Sequence, residues 1–427
     1  MKPTRRKVLK GLAVTTVLGA ISGCVGTGAS TGSRTARVVV IGGGFAGLTA
    51  ARTLKALDPT VEVTLVEPKK QYVACPLSNL VVAGLRDIGS QTFSYRKAVE
   101  QGISHLPLAA KMIDTVSRQV LFEDHAALTY DRLILAPGIS LDYAALEGYS
   151  EQSATRMPHA WQAGEQTLLL KRQLEAMPDG GLVTIVVPPN PYRCPPGPYE
   201  RASLIAHYLK QNKPKSKILI LDSKDQFSKQ SLFKSAWQSE YGQMIEWQGL
   251  SDGARVVAVD SNKLALVTDF ETIKSSVANV IPPQRAGQIA LDSGIADDSG
   301  WCPVDALSFE STLTPDVHVI GDAAILNAMP KSAFAANAQA KLCAVQVIRL
   351  LAGEAPLQTT LLNTCYSLVG PHYGISVAGA YRADGVRWKG VEGAGGVSDA
   401  DAPVSTRQQE AGYAHGWFDT ISREVFG

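Results

Sequence analysis

The chain has 427 residues, 45 % of them hydrophobic and 19 % charged, with a formal net charge of +2. These values describe a folded protein with room for two or three domains and ordinary cores, and they exclude a disordered chain. Near-balanced charge without a long basic block gives nucleic-acid binding no support.

The chain opens with Thr4-Arg5-Arg6-Lys7-Val8-Leu9-Lys10, a twin-arginine pattern, followed by an apolar run from Gly11 to Ser22. The run is too short to cross a membrane and suits a cleaved export signal. The twin-arginine route carries folded cargo, which a cofactor loaded inside the cell requires. Residues 1–34 are therefore expected to direct export to the periplasm, the alternative being a Sec-type leader with two incidental arginines. Ile21-Ser22-Gly23-Cys24 also fits a lipoprotein box. Either Cys24 is acylated and is the one membrane contact, or cleavage between Gly23 and Arg34 discards it.

Ala36 to Ile41 predicts a short β-branched strand ending at Gly42-Gly43-Gly44, then a helix to about Leu57. Gly42, Gly44 and Gly47 make a G-x-G-x-x-G turn. The first allows the tight bend, the second a close approach to a pyrophosphate, and the third close helix–strand packing. Val61 to Glu67 predicts the next strand, with Glu67 near the offset where an acid meets a ribose hydroxyl. Tyr130 to Gly138 reads as a strand running into a small-residue turn at Gly138. Gly181 to Pro188 predicts the strand that opens a second nucleotide-binding-like domain. The loop Pro189–Glu200 that follows has five prolines and no glycine motif. Proline lacks an amide donor and fixes φ, so this loop is unsuited to a pyrophosphate, and the second domain is expected to have lost its nicotinamide nucleotide.

Val317 to Ala324 predicts another strand, ending in Gly321-Asp322, with Asp322 placed for a ribityl chain. Ser332 to Leu351 reads as a long helix whose N-terminus faces the same site. From Ala355 onward the pattern suggests short strands and turns, with a loose glycine-rich loop at Gly390–Val397. The expected architecture is α/β: two Rossmann-like dinucleotide-binding domains, glutathione reductase-like, plus a small α+β C-terminal domain. The boundaries are 35–148 and 284–352 for the two parts of the FAD-binding domain, 149–283 for the second domain, and 353–427 for a C-terminal interface domain.

Six cysteines are present: Cys24, Cys75, Cys194, Cys302, Cys343 and Cys365. A body of this size does not need disulfides to fold, which leaves its cysteines available for chemistry. No Cys-x-x-Cys-His occurs, so a haem would sit only on a partner chain, and no Cys/His spacing suggests a metal. Cys343 falls on the inner face of the predicted helix as a buried thiol, and Cys302 is assigned neither to surface nor core.

YVACPLSN around Cys75, YRCPPGPYERA around Cys194, NTCYSLV around Cys365 and the closing GWFDTISREVFG resemble the flavoprotein subunit of flavocytochrome c sulfide dehydrogenase. That family sits within the wider sulfide:quinone oxidoreductase and glutathione reductase superfamily, and the resemblance covers nearly all of the chain after residue 34. It implies FAD attached covalently through a thioether at Cys75, the alternative being a buried inert thiol. It implies a redox-active disulfide between Cys194 and Cys365. A purely structural bridge closing about 170 residues could instead contribute roughly 4 to 5 kcal/mol. Glu200 matches an acid–base position, against a solvated glutamate opening a helix at Arg201, and Trp417 matches an aromatic near the flavin, against core packing. The implied activity is oxidation of sulfide to persulfide or polysulfide sulfur, with electrons passed to a c-type cytochrome subunit. The alternatives are a sulfide:quinone oxidoreductase and a non-catalytic flavoprotein that activates a sulfur-oxidising complex. A pyridine-nucleotide dehydrogenase is disfavoured by the proline-rich loop.

Overall fold

The computed structural model describes residues 35–427; the twin-arginine pattern and Cys24 lie outside the described residues. β1 (Arg37–Ile41) leads through the glycine turn into α1 (Phe45–Leu57), followed by β2 (Glu62–Val66), β3 (Ser104–Leu106) and β4 (Arg132–Leu135). Val38, Val39 and Val40 are at most 1 % exposed, as a strand covered on both faces requires. A second run comprises β5 (Leu182–Val187), α2 (Gly197–Asn212), β6 (Lys217–Asp222), α3 (Gln230–Tyr241), β7 (Ile245–Gln248) and β8 (Val277–Val280). The chain then returns to the first sheet with β9 (Val317–Val319) and α4 (Ala333–Leu351).

Two parallel sheets result. The first has the order β9-β4-β1-β2-β3, with Val39 opposite Thr64 on one side and Leu133 on the other. The second has the order β7-β6-β5-β8. In both, the order reverses beside the first strand of the unit, and in the first sheet the loops beyond the strand ends there border a crevice, the usual ligand position in such sheets. α1 packs against α4, so the glycine turn and the start of α4 reach the same crevice.

The C-terminal reading needs correction. Instead of short strands and turns, residues from Thr360 form a three-stranded antiparallel meander of β10 (Thr360–Gly370), β11 (Tyr373–Ala383) and β12 (Trp388–Val397). The glycine-rich stretch Gly390–Val397 belongs to β12 and pairs with β11, Gly395 opposite Gly379 and Lys389 opposite Arg382. Glycine is tolerated because β12 is a largely exposed edge strand, with a register shift between Gly379 and Tyr381. The tail forms α5 (Val404–Phe426), which packs on β11 and β10 and buries Ala411, Ala414, Phe418 and Val425. Among the described residues no helix is long and apolar enough to cross a membrane. β10 packs in turn on α2 and α4, which carries Cys365 to the crevice between the sheets.

Candidate functional site

The glycine turn is fixed by contacts that leave no room for a side chain. Gly42 has a φ of +102°, and a Cβ there would lie 2.2 Å from the Ala136 carbonyl oxygen; one on Gly47 would lie 1.9 Å from the Gly42 oxygen. Gly44 differs. A Cβ on it would meet only the Tyr72 ring at an ordinary 3.4 Å, so the protein's own packing does not demand glycine, whereas a ligand lying on the turn would. Glu67, at the end of β2, accepts the Gly43 amide at 2.9 Å and the Lys69 amide at 3.0 Å and borders the cleft. Gly138, at a φ of +68°, also lines the cleft.

Asp322 follows β9 and faces the cleft with Oδ1 buried and without a hydrogen-bond partner. Burial pushes its carboxyl up, opposed by Arg193 and Lys331. An orphaned buried carboxylate oxygen calls for a donor from a ligand. The α4 terminus is capped by Ser332, whose Oγ accepts the Ala335 amide at 3.1 Å and donates to Asn363 Oδ1 at 2.6 Å. Ser332, Ala333 and Phe334 line the cleft as expected. A glycine at position 44 that the protein's own packing does not require, an orphaned carboxylate oxygen and a helix N-terminus together fit a dinucleotide carrying ribose or ribityl hydroxyls.

Cys75, half-buried just before the short helix Ser78–Val82, borders this cleft, with Sγ 3.8 Å from the Trp161 carbonyl oxygen. Cys194 arrives from the second unit. Its backbone has a φ of +57° and is held by its amide donating to the Lys331 carbonyl at 2.8 Å, next to the α4 cap. The Cys194 side chain opens into the cleft yet is walled by protein on its other sides. Those walls push its thiol up, and Glu200 and then Cys365 add to the effect. Gly197 gives this loop its clearance, since a Cβ there would lie 2.7 Å from Trp161 and 3.0 Å from Cys194 Sγ. Cys365, half-buried on β10, receives the Asn363 amide on Sγ at 3.4 Å. In the structure Cys194 and Cys365 are free thiols, the reduced form of the pair rather than the disulfide that the resemblance implies, and both line the cleft that Cys75 and the glycine turn also line.

Glu200 is not the solvated residue weighed as one alternative. α2 begins at Gly197 rather than Arg201, which puts Glu200 in its first turn, 9 % exposed, under the short helix Ser78–Val82 and β10. Oε1 accepts from Asn79 Nδ2 at 2.9 Å and Oε2 from the Leu368 amide at 3.2 Å. Burial raises its carboxyl, with these donors and Lys229 opposing. Trp417 lies half-buried on the cleft wall and stacks with Phe334, ring centres 6.3 Å apart and planes 12° apart. Cys302 and Cys343 are both fully buried, and burial pushes the Cys302 thiol up to about 12 and the Cys343 thiol higher still. Among the described residues no cluster of His, Cys, Asp and Glu could hold a metal.

At the corresponding strand ends of the second sheet, the protein's own side chains occupy the acid. Asp222, at the end of β6 and fully buried, accepts from Tyr199 at 2.5 Å, Trp247 Nε1 at 3.0 Å and Lys224 Nζ at 2.6 Å. Tyr199 stacks on Phe227 at 3.7 Å between ring centres. The acid at this strand end, which a dinucleotide-binding unit would direct at a ribose, is saturated.

Sequence reasoning passed over Asn79, Arg193, Arg201, Asn363 and Lys229. The first four lie inside or beside the cysteine motifs. Arg201, 2 % exposed, ties the motifs together by donating to Asn79, Asn279 and the His159 and Ala160 carbonyls. Lys229 has no motif around it, and only the fold reveals its place.

Three family models match: the central region of the sulfide dehydrogenase (flavocytochrome c) flavoprotein chain over residues 167–282, the flavocytochrome c sulphide dehydrogenase flavin-binding region over 358–426, and pyridine nucleotide-disulphide oxidoreductase over 36–174. The sulfide dehydrogenase flavoprotein chain of Chlorobaculum thiosulfatiphilum is 60 % identical over 47 residues, 11 % of this chain and 98 % of that one. The mitochondrial sulfide:quinone oxidoreductase of Mus musculus is 23 % identical over 332 residues, covering 75 % of this chain and 72 % of that one. The sulfide:quinone oxidoreductase of Aquifex aeolicus superposes with a TM-score of 0.71 at 16 % identity, covering 91 % of this chain and 92 % of that one. The last of these shows the shared fold. The flavin-binding region coincides with the meander and α5, which bring Cys365 and Trp417 to the cleft.

Proposed function

Because this chain belongs to the family of the flavocytochrome c sulfide dehydrogenase flavoprotein chain, a family of sulfide-oxidising flavoproteins, we propose that it oxidises sulfide at Cys194 and Cys365 and passes the electrons to a c-type cytochrome. The observation that carries this reading is the arrival of Cys194 and Cys365, from different units of the fold, on one cleft with Cys75 and the glycine turn. Gly42, Gly44, Gly47, Glu67 and Gly138 would hold the dinucleotide part of FAD, Asp322 its ribityl hydroxyls, and Cys75 its ring through a thioether. Trp417 would pack beside the ring. When bound, FAD supplies a two-electron acceptor that can release electrons singly to haem.

The protein's part is sulfur exchange. Hydrosulfide attacks one sulfur of a Cys194–Cys365 disulfide, a new S–S bond forms as the old one breaks, and the pair is left as one persulfide and one thiolate. Glu200 serves as base for the proton of incoming hydrogen sulfide, burial making its carboxylate a stronger base than a surface glutamate. Asn363 donates to the Cys365 sulfur, and Lys331 fixes the Cys194 backbone. The saturated Asp222 and the proline loop support a second unit without nicotinamide nucleotide, so reducing equivalents come from sulfide. The sequence supports export to the periplasm by the twin-arginine route, with Cys24 as a candidate lipid anchor.

The test is anaerobic reduction of an added c-type cytochrome by sulfide, catalysed by the flavin-loaded protein. Continued turnover supports the proposal. A single stoichiometric reaction would support an accessory flavoprotein instead. The likeness to the Mus musculus enzyme favours a second reading, with quinone as acceptor. Under that reading decylubiquinone would be reduced and the cytochrome would not.

A further inference from the structure

Lys229 places a positive charge beside the sulfur pair. It directly precedes α3 with a φ of +62° and is only 7 % exposed. A buried ammonium needs partners, since leaving it unpaired is costly. It finds two on β10: Nζ donates to the Cys365 carbonyl at 3.0 Å and to Ser367 Oγ at 2.8 Å. Both are neutral acceptors, which occupy two of its three N–H groups without cancelling its charge. The Phe233 ring lies on another side, 5.8 Å from Nζ. Burial pulls the ammonium down to about 8, opposed first by Cys365 and then by Glu200, Cys194 and Glu410, the ionisable groups facing it.

The two cysteines therefore sit in unlike surroundings. Burial and then Glu200 weigh against charge on Cys194, with Arg193 and last Lys229 opposing. Cys365 has Asn363 Nδ2 on its sulfur and Lys229 on its own carbonyl. We propose that Lys229 is a positioning residue for the sulfur pair: pinned to the Cys365 carbonyl and Ser367, its ammonium holds the negative charge that the Cys365 sulfur carries once the disulfide opens. The inference rests on the sulfide reading above. In the opening step the Cys194–Cys365 bond breaks as hydrosulfide bonds to one sulfur, and the electron pair of the broken bond stays on the other. Attack at Cys194 leaves a thiolate on Cys365. Attack at Cys365 would leave the persulfide there and the thiolate on Cys194. Lys229, pinned to the Cys365 carbonyl, favours the first course.

The test measures thiol reactivity without sulfide. Full-length, flavin-loaded wild-type protein and the variants Lys229→Met, Lys229→Gln and Lys229→Arg are reduced anaerobically with a phosphine. They are then alkylated with iodoacetamide between about pH 6 and about pH 9, and the Cys194 and Cys365 peptides are quantified separately by mass spectrometry. Lys229→Met should slow Cys365 alkylation near neutral pH by about tenfold. Lys229→Gln, which keeps a donor for the two β10 acceptors, should slow it similarly, and Lys229→Arg should restore it. Cys194 should change less. Wild-type Cys365 reactivity in Lys229→Gln, or equal slowing of both cysteines, would overturn the proposal. Failure of the sulfide reading shows separately, as a wild-type protein that does not react with sulfide.

Discussion

Replacing Glu200 by glutamine separates the base from the scaffold, and the structure fixes the sign of the stability change. Each carboxylate oxygen of Glu200 accepts one buried donor, Asn79 Nδ2 on one side and the Leu368 amide on the other. Glutamine turns one of those oxygens into a donor, but so does protonation of Glu200 itself. Below about pH 4.5, Glu200→Gln and wild type should therefore differ by no more than about 1 kcal/mol. Burial raises the carboxyl above its ordinary 4.5, so the folded protein keeps this proton at pH values where the unfolded chain has lost it. Stability from this group is then fully present below 4.5 and is lost as pH rises through the folded value, at about 1.4 kcal/mol for each unit separating the two. Glutamine has no such loss. Urea unfolding of both proteins at about pH 5 and about pH 8 should show the variant gaining on wild type as pH rises, while its reduction by sulfide slows by about 10² to 10⁴. A variant that loses ground at the higher pH would mean that the carboxylate stabilises the fold. That result would remove the reason for regarding Glu200 as an unusually strong base.

Two further outcomes follow from the cleft. Cys75→Ser should bind FAD reversibly, so that acid precipitation leaves a colourless pellet while the wild-type pellet stays yellow; a yellow Cys75→Ser pellet would place the linkage elsewhere. Gly47→Ala drives a Cβ to 1.9 Å from the Gly42 carbonyl oxygen and 3.3 Å from Val40, which prises α1 from β1. Loss of about 1 to 3 kcal/mol and of flavin retention on gel filtration is expected, and a flavin-replete variant of wild-type stability would contradict the packing described.

The nucleotide-binding part of the fold was legible because its constraints are local. A β-branched run, a turn that only glycine can make and an acid at the next strand end all fall within Arg37–Glu67, and the structure places them as the pattern implies. The C-terminal region was misread because its order is tertiary. Glycines in β12 have poor strand propensity, and α5 includes Gly412 and Gly416, so neither element announces itself without the meander and the α2 and α4 surfaces it covers. Glu200 was undecided for a related reason: its burial depends on the short helix Ser78–Val82, some 120 positions earlier in the chain. Lys229 has no local signal at all, because its partners are on a strand more than 130 residues away.

The most direct test of the account is peptide mapping of the protein isolated without reductant, before and after anaerobic exposure to sulfide. The account predicts a Cys194–Cys365 linked peptide before exposure, and afterwards its loss, with one of the two cysteines recovered as an alkylated persulfide. Two free, unmodified thiols in the isolated, aerobically stored protein, or a linked peptide that survives excess sulfide, would contradict it.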